Sequence, residues 1–456
     1  MKNLSVFIFS IILLSCTKTE LPVNPIPTPA LAADPAQYGA TYTKVPLAKD
    51  AIIYQVNTRA FSAAGNLKGV TARLDSIKNL GVNIVYLMPI NPVGTLLSVN
   101  SPYAIKDYKA VGSEFGALED LRTLVNDAHS KNMAVMLDVV VNHTSWDHDW
   151  ITAHKSWYKQ DASGNIVSAL GYNDVAQLNF NNDTMRTAMI EALRYWVFTA
   201  NIDGYRFDFA DNVPLDFWKQ ALSSLKSIPN RQLLFFAEGT RTENFRVGFD
   251  MNFGFSFFGK LKDVYGNNKS ATQFSDVNKS EYLNVYDESQ VVRYTTNHDV
   301  NSSDGTPQEL FGGDKGAMGA FIIAAYMKGV PMIYSGQEVG TPYRILFPFT
   351  TKKIDWTINP GITADYKQIL NFRNNSVAIR SGQLFSYSSD DVVAFTKEQE
   401  NEKVFVMVNL RNRAVEYTLP APLGNTSWSN GLSSGNVTLT NKVTLQPYAY
   451  VVLKNQ

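Results

Sequence analysis

The sequence of 456 residues has a single cysteine, Cys16, so no internal disulfide can staple it and any folded part must be held by packing. Charge is also scarce: 18% of residues are charged, against roughly 25% in typical soluble domains. Forty-one basic residues balance 41 acidic ones. No net field is left to attract a polyanion, which removes nucleic acid as a partner, and the 45% apolar content excludes a disordered charged chain. The five histidines, His129, His143, His148, His154 and His298, form no His-Glu-x-x-His pair, and neither a Walker loop nor a dinucleotide fingerprint occurs, so zinc hydrolysis and nucleotide chemistry lack support. Gly431-Leu-Ser433-Ser-Gly435 matches a nucleophile-elbow pattern, but it lies among short strands and no histidine follows His298 to complete a triad; it reads as a turn.

Apolar runs long enough to cross a bilayer are missing as well. The stretch Val6 to Leu14 is too short, yet with Lys2 before it and Leu14-Ser15-Cys16 after it, it resembles a bacterial lipoprotein signal. That resemblance implies removal of residues 1–15 and a lipid on Cys16, hence an exported protein anchored in the cell envelope. Residues 16–48 follow as a tether, with six prolines from Pro22 to Pro46 and no apolar periodicity.

From Ala51 the pattern becomes strand then helix, repeated. Strands are expected at Ile52 to Val56, Val82 to Met88, Met133 to Val140, Ile202 to Asp208, Leu233 to Ala237, a weaker Val247 to Phe253, Val291 to Thr296 and Val330 to Tyr334. Helices are expected around Leu74 to Leu80, closed by Gly81, around Leu118 to Val125, and around Met189 to Val197 with an N-cap at Asp183. Eight nearly all-apolar strands alternating with helices argue for an α/β fold closed as a (β/α)8 TIM barrel over 49–380. Residues 145–181 interrupt it after the third strand with Trp146, Trp150, Trp157, Tyr158 and Tyr172 and no long helix; we expect a substrate wall. Beyond about Ser381 only short strand runs remain, so 381–456 is expected to be a C-terminal all-β sandwich domain.

The chemistry is located by asking which polar residues end the strands. Asn142 and His143 follow strand three, Arg206 and Asp208 end strand four, Glu238 ends strand five, and His298 and Asp299 follow strand seven. These positions converge on the mouth of a barrel. Each acid alone could be an ion-pair partner or a strand cap. Three carboxylates gathered without function would raise one another's pKa and cost stability, so the group points to a site. Asp208 and Glu238 end adjacent strands, which allows a carboxyl separation of roughly 5 Å, the spacing of a retaining glycosidase. Arg206, on the strand and face of Asp208, is expected to hold that acid ionised, and the apolar run before Glu238 to favour its neutral form. His129, beside Ser130, is expected at the surface.

The segments Asp138 to His143, Gly204-Tyr-Arg206-Phe-Asp208, Phe236-Ala-Glu238-Gly239 and Thr296-Asn-His298-Asp299 resemble, in order and spacing, four signature regions of the α-amylase family of glycoside hydrolases. Tyr54-Gln55-Val56-Asn57, Ser101-Pro102-Tyr103 and Gly329 to Glu338 add to the match. The resemblance implies a retaining hydrolase of α-1,4-linked glucan, with Asp208 as nucleophile, Glu238 as acid and base, and Asp299 as the third acid. Arg206 would orient Asp208, His143 and His298 would bind sugar hydroxyls, and Tyr103 would stack on the ring. A glucosyl transferase or cyclomaltodextrinase-type relative is the alternative within enzymes; a surface α-glucan-binding protein is the alternative outside them, against which the three intact acids speak. No cofactor is required. Many relatives bind calcium through an acid of the inserted region, but Gln177 stands where that acid would be, and Asp211-Asn212 replaces a common Lys-His, so only weak calcium binding is expected and no metal ligand is assigned.

Overall fold

The computed structural model describes residues 31–455, so the expected signal 1–15, Cys16 and the first half of the tether lie outside the described residues. Eight parallel strands close into a barrel: β1 (Ile53–Val56), β2 (Ile84–Leu87), β3 (Ala134–Val140), β4 (Gly204–Asp208), β5 (Leu234–Ala237), β6 (Met251–Phe253), β7 (Gln290–Arg293) and β8 (Val330–Tyr334). Neighbours in sequence are neighbours in space, and β1 closes on β8 with Ile53 opposite Met332. The seam is reinforced by side chains: the Tyr54 hydroxyl donates to Glu338 at 2.5 Å, and the Asn57 amide to the Tyr334 hydroxyl at 2.7 Å. Every residue of the eight strands is buried, as expected where helices cover the outer face and side chains fill the inner one.

The helices obey their apolar spacing. Leu118–Ser130 buries Leu121, Leu124, Val125 and Ala128, one stripe of an amphipathic helix. Asp183–Thr199 is capped by Asn182, whose side chain accepts from the Met185 N–H, so the cap falls one residue before the expected Asp183. The β5-to-β6 connection carries only the five-residue helix Glu243–Val247. Val247 therefore belongs to a helix, not to the sixth strand, and Gly248 at φ +118° turns the chain toward Met251. Strand seven ends at Arg293, before the expected Thr296.

The described part of the tether lies against the barrel. Asp34 pairs with Arg194 at 2.5 Å, and Tyr38 donates its N–H to the Phe198 carbonyl at 2.7 Å. Tyr42 stacks on His129 with ring centroids 4.1 Å apart. His129 is thus not ordinary surface: its Nε2 meets the buried Asp203 at 2.7 Å, where it offsets the cost of burying that carboxylate.

The C-terminal part is a six-stranded antiparallel sheet with a separate two-stranded one. Its long strands alternate: Val393, Phe395, Val406 and Val408 join the main core, whereas Val392, Ala394, Phe405 and Met407 pack with Trp428 on the other face. Two strands, Gln383–Ser386 and Ser427–Asn430, escape sequence reading because four residues with polar ends carry no apolar run. Pairing with Val392–Gln399 and Tyr450–Lys454 recruits them.

Candidate active site

The carboxyl ends of the strands deliver the expected residues to one cleft of about 840 Å³, lined by Tyr103, His143, Asp208, Glu238, His298 and Asp299 among others. Beneath it lies Arg206, fully buried on β4, whose inward direction follows from strand alternation. Its guanidinium contacts three carboxylates: Asp138 Oδ1 at 2.7 Å, Asp208 Oδ1 at 2.9 Å and Glu238 Oε1 at 2.7 Å. One planar fork in contact with both Asp208 and Glu238 brings their carboxyl groups together on one cation, the arrangement a retaining pair requires.

Here the structure corrects the expected division of charge. Arg206 grips both acids and Asp138 besides, so it does not single out Asp208 for ionisation. Burial, and then the neighbouring Glu238 carboxylate, push Asp208 well above the usual carboxylate range against the pull of Arg206. Burial likewise raises Asp138, which shares the same guanidinium. The Asp208 Oδ2 has no hydrogen-bond partner among the described residues, while Glu238 Oε2 accepts the Phe209 N–H at 2.7 Å. Phe209 reaches that pose with φ +47°, a left-handed conformation uncommon for a bulky side chain and a sign of local strain at the site.

A second chain of hydrogen bonds sets the histidines. The Gln55 side-chain amide lies 2.9 Å from His298 Nδ1, His298 Nε2 lies 2.7 Å from the Tyr103 hydroxyl, and that hydroxyl donates to Asp138 Oδ2 at 3.1 Å. With Gln55 as donor, the imidazole carries its proton on Nε2. Burial holds both His298 and His143 down at about 4, so both are neutral at ordinary pH. Tyr103 also stacks on His298, with centroids 5.4 Å apart. Asp299 sits at the rim, its side chain 62% exposed, 3.3 Å from His298 Nε2.

The inserted segment forms a three-stranded sheet, with Tyr172–Gln177 in its middle. Of the five aromatics named above only Tyr172 lines the cleft; Trp157 and Tyr158 are buried, and Trp150 packs on Tyr108, His148 and Trp157. The wall is therefore packed onto the main core of the barrel through these side chains. Leu97, Phe347 and Phe349 also line the cleft, unanticipated because they come from loops without periodicity. Gln55 and Phe209 were also missed as contributors, although Gln55 lies in a segment that carries the family resemblance. Asp211 accepts from the Thr240 N–H at 2.8 Å and the Asn244 side chain at 2.9 Å, ordering the loop that follows Glu238.

Where calcium would sit in many relatives, the residues do not fit a cation. Gln177 Nε2 points at the Asn142 carbonyl (2.9 Å), Asn142 Oδ1 (3.0 Å) and the Leu178 carbonyl (3.3 Å). Two of these acceptors are main-chain oxygens, so the amide must present hydrogens there. The oxygens that could face an ion are turned on a donor instead. Among the described residues, no group of three or more His, Cys, Asp or Glu side chains is arranged to hold a metal.

Comparison with known proteins agrees with this geometry. The family model described as "Alpha amylase, catalytic domain" matches residues 47–165 and 153–355, and that of "Maltogenic Amylase, C-terminal domain" matches 383–452. The chain is 27% identical to Alpha-amylase 3 of Dictyoglomus thermophilum, over 90% of this chain and 94% of that protein. It is 26% identical to a cyclomaltodextrinase of Geobacillus thermopakistaniensis, over 85% and 70%. The solved structure of an α-amylase from Lactobacillus plantarum superposes with a TM-score of 0.79 at 28% identity, covering 90% of this chain and all of that one.

Proposed function

The chain belongs to the α-amylase family of glycoside hydrolases, and on that premise we propose that it hydrolyses α-1,4-glucosidic bonds of starch-derived chains with retention of configuration. The observation that carries this reading is the single guanidinium of Arg206 holding Asp208 and Glu238 side by side under the cleft. The Asp208 Oδ2, unencumbered, attacks the anomeric carbon as the bond from that carbon to the glycosidic oxygen breaks. Glu238, beside Asp208, donates a proton to the departing oxygen as the bond breaks. A β-glucosyl ester on Asp208 results. Glu238, now ionised, takes a proton from water, whose oxygen attacks the same carbon and releases Asp208.

Asp299 binds hydroxyls at the rim of the cleft, His143 and His298 serve as neutral hydrogen-bonding groups to the glucose at the cleavage point, and the Tyr103 ring packs against it. Tyr172, Leu97 and Phe347, all well exposed, offer apolar faces to flanking sugars. Relatives include a protein named cyclomaltodextrinase and one named maltogenic α-amylase, so cyclic dextrins form a second substrate set. Chromatography of products from maltoheptaose and β-cyclodextrin tests the reading. Maltose or glucose released initially as the α-anomer supports it; β-anomeric product, or no cleavage of either substrate, overturns it.

Calcium is not needed, because Gln177 supplies from within the chain the donor that would otherwise be an ion. Thermal unfolding and maltoheptaose hydrolysis should change little on adding excess EDTA, since an ion stabilises only by its occupancy of the native state. A large loss of both, restored by calcium, would contradict this. The lipid anchor at Cys16 is part of the same proposal: the protein should fractionate with membranes, and Cys16→Ser should release it to the soluble fraction. Wild-type protein that is wholly soluble after fractionation would reject the anchor.

A further inference from the structure

At the opposite end of the barrel from the catalytic cleft, a second cavity of about 520 Å³ opens where the C-terminal sheet meets the barrel. Its barrel side is formed by residues just before the strands, among them Lys49 before β1, Gln290 at the start of β7 and Lys328 before β8. Its other side is the strand Val392–Gln399, whose alternate residues Val393 and Phe395 belong to the main core. Lys397 continues that series and points the same way.

Lys397 is 1% exposed, and among the described residues no carboxylate lies within ion-pair distance of it. Its charged neighbours are Arg373 and Lys328; burial, followed by these two cations, brings Lys397 down to about 7. An ammonium taken from water with no counter-charge is costly and is ordinarily paired or lost. The rest of the lining deepens the imbalance. Five cationic side chains, Lys49, Lys279, Lys328, Arg380 and Lys397, face the cavity with one carboxylate, the exposed Asp287. Arg380 is already engaged by Asp50 at 2.5 Å, and the Lys328 ammonium rests over the Tyr282 ring at 4.0 Å. Lys397 is left uncompensated.

We propose that this cavity binds a phosphate group, either as the free ion or carried on a phosphorylated sugar, with Lys397 as its innermost contact. The charge requires a compact anion with several acceptor oxygens, and lysine ammoniums are point-charge partners for phosphate. No aromatic side chain lines the cavity, and a neutral glucan would leave Lys397 unpaired, so the occupant differs in kind from the substrate of the cleft. The site does not depend on the hydrolytic reading, because none of its residues takes part in the catalytic cluster.

Thermal unfolding of the full chain in slightly acidic buffer tests it, comparing inorganic phosphate and glucose 6-phosphate with chloride at matched ionic strength. Either phosphate compound should raise Tm by about 3 °C over chloride. A larger rise with the sugar phosphate identifies the phosphosugar, and an equal or smaller one identifies the free ion. Lys397→Met should fold, since it removes an unpaired buried charge, should hydrolyse maltoheptaose at the wild-type rate, and should lose the phosphate shift. Lys328→Gln should weaken phosphate binding about tenfold, the loss expected for one charged contact. Identical Tm values in phosphate and chloride would overturn the proposal, as would a phosphate shift that survives in Lys397→Met. Should Lys397→Met fail to fold, an undiminished shift in Lys328→Gln would overturn it equally.

Discussion

Asp208→Asn should lower the turnover of maltoheptaose by about ten-thousandfold or more, while leaving the protein folded and able to hold the glucan. The amide matches the carboxyl in shape, so packing against Arg206 is retained, but it cannot form the ester on which both halves of the reaction depend. The electrostatics give this variant a second signature. Asp208 is one of three acids crowded on one guanidinium, and burial together with Glu238 already pushes it up. Removing one negative charge relieves the other two, so Tm should stay the same or rise. Near-wild-type rates in the purified variant would eliminate Asp208 as nucleophile; a cooperative loss of fold would show that its charge is needed to balance Arg206.

The Glu238→Gln variant should lose about a thousandfold on natural glucans, the scale of a missing general acid and base. Its loss should depend on the substrate. A glucosyl fluoride has a leaving group that needs no protonation, so formation of the ester on Asp208 should proceed, and the intermediate should accumulate for want of a base to activate water. Azide, which attacks without such help, should restore turnover on that substrate. Equal impairment on fluoride and maltoheptaose, with no rescue by azide, would remove Glu238 from the role of acid.

The barrel was legible because its signal recurs along the chain: β1 to β5, β7 and β8 are largely apolar runs, as strands covered on both faces require, and their few polar residues are buried too. The sixth was weak because a five-residue helix and Gly248 precede a strand of three residues. Polar residues at strand ends marked the cleft, since in a closed parallel barrel those ends have one place to go. What could not be read was the sharing of Arg206. Sequence places it two residues from Asp208, but only the pairing register of β3, β4 and β5, with Asp138 directly across from Arg206, brings Asp138 and Glu238 onto the same guanidinium. His129 misled for a related reason: its buried partner Asp203 lies 74 residues away, beyond any local pattern. Loop aromatics such as Phe347 and Phe349 carry no periodicity to reveal where they point.

The Gln177 amide has a consequence for how the inserted sheet is fastened to the barrel. A tie made by a dissolved ion is only as closed as the solution keeps it, and its strength rises and falls with dilution, competing anions and the ion's supply. A donor carried on the chain has a fixed effective concentration set by the backbone that bears it. The junction between Asn142 and Tyr172–Gln177 is therefore a unimolecular latch made of the chain's own groups, exchangeable only by moving the strand itself.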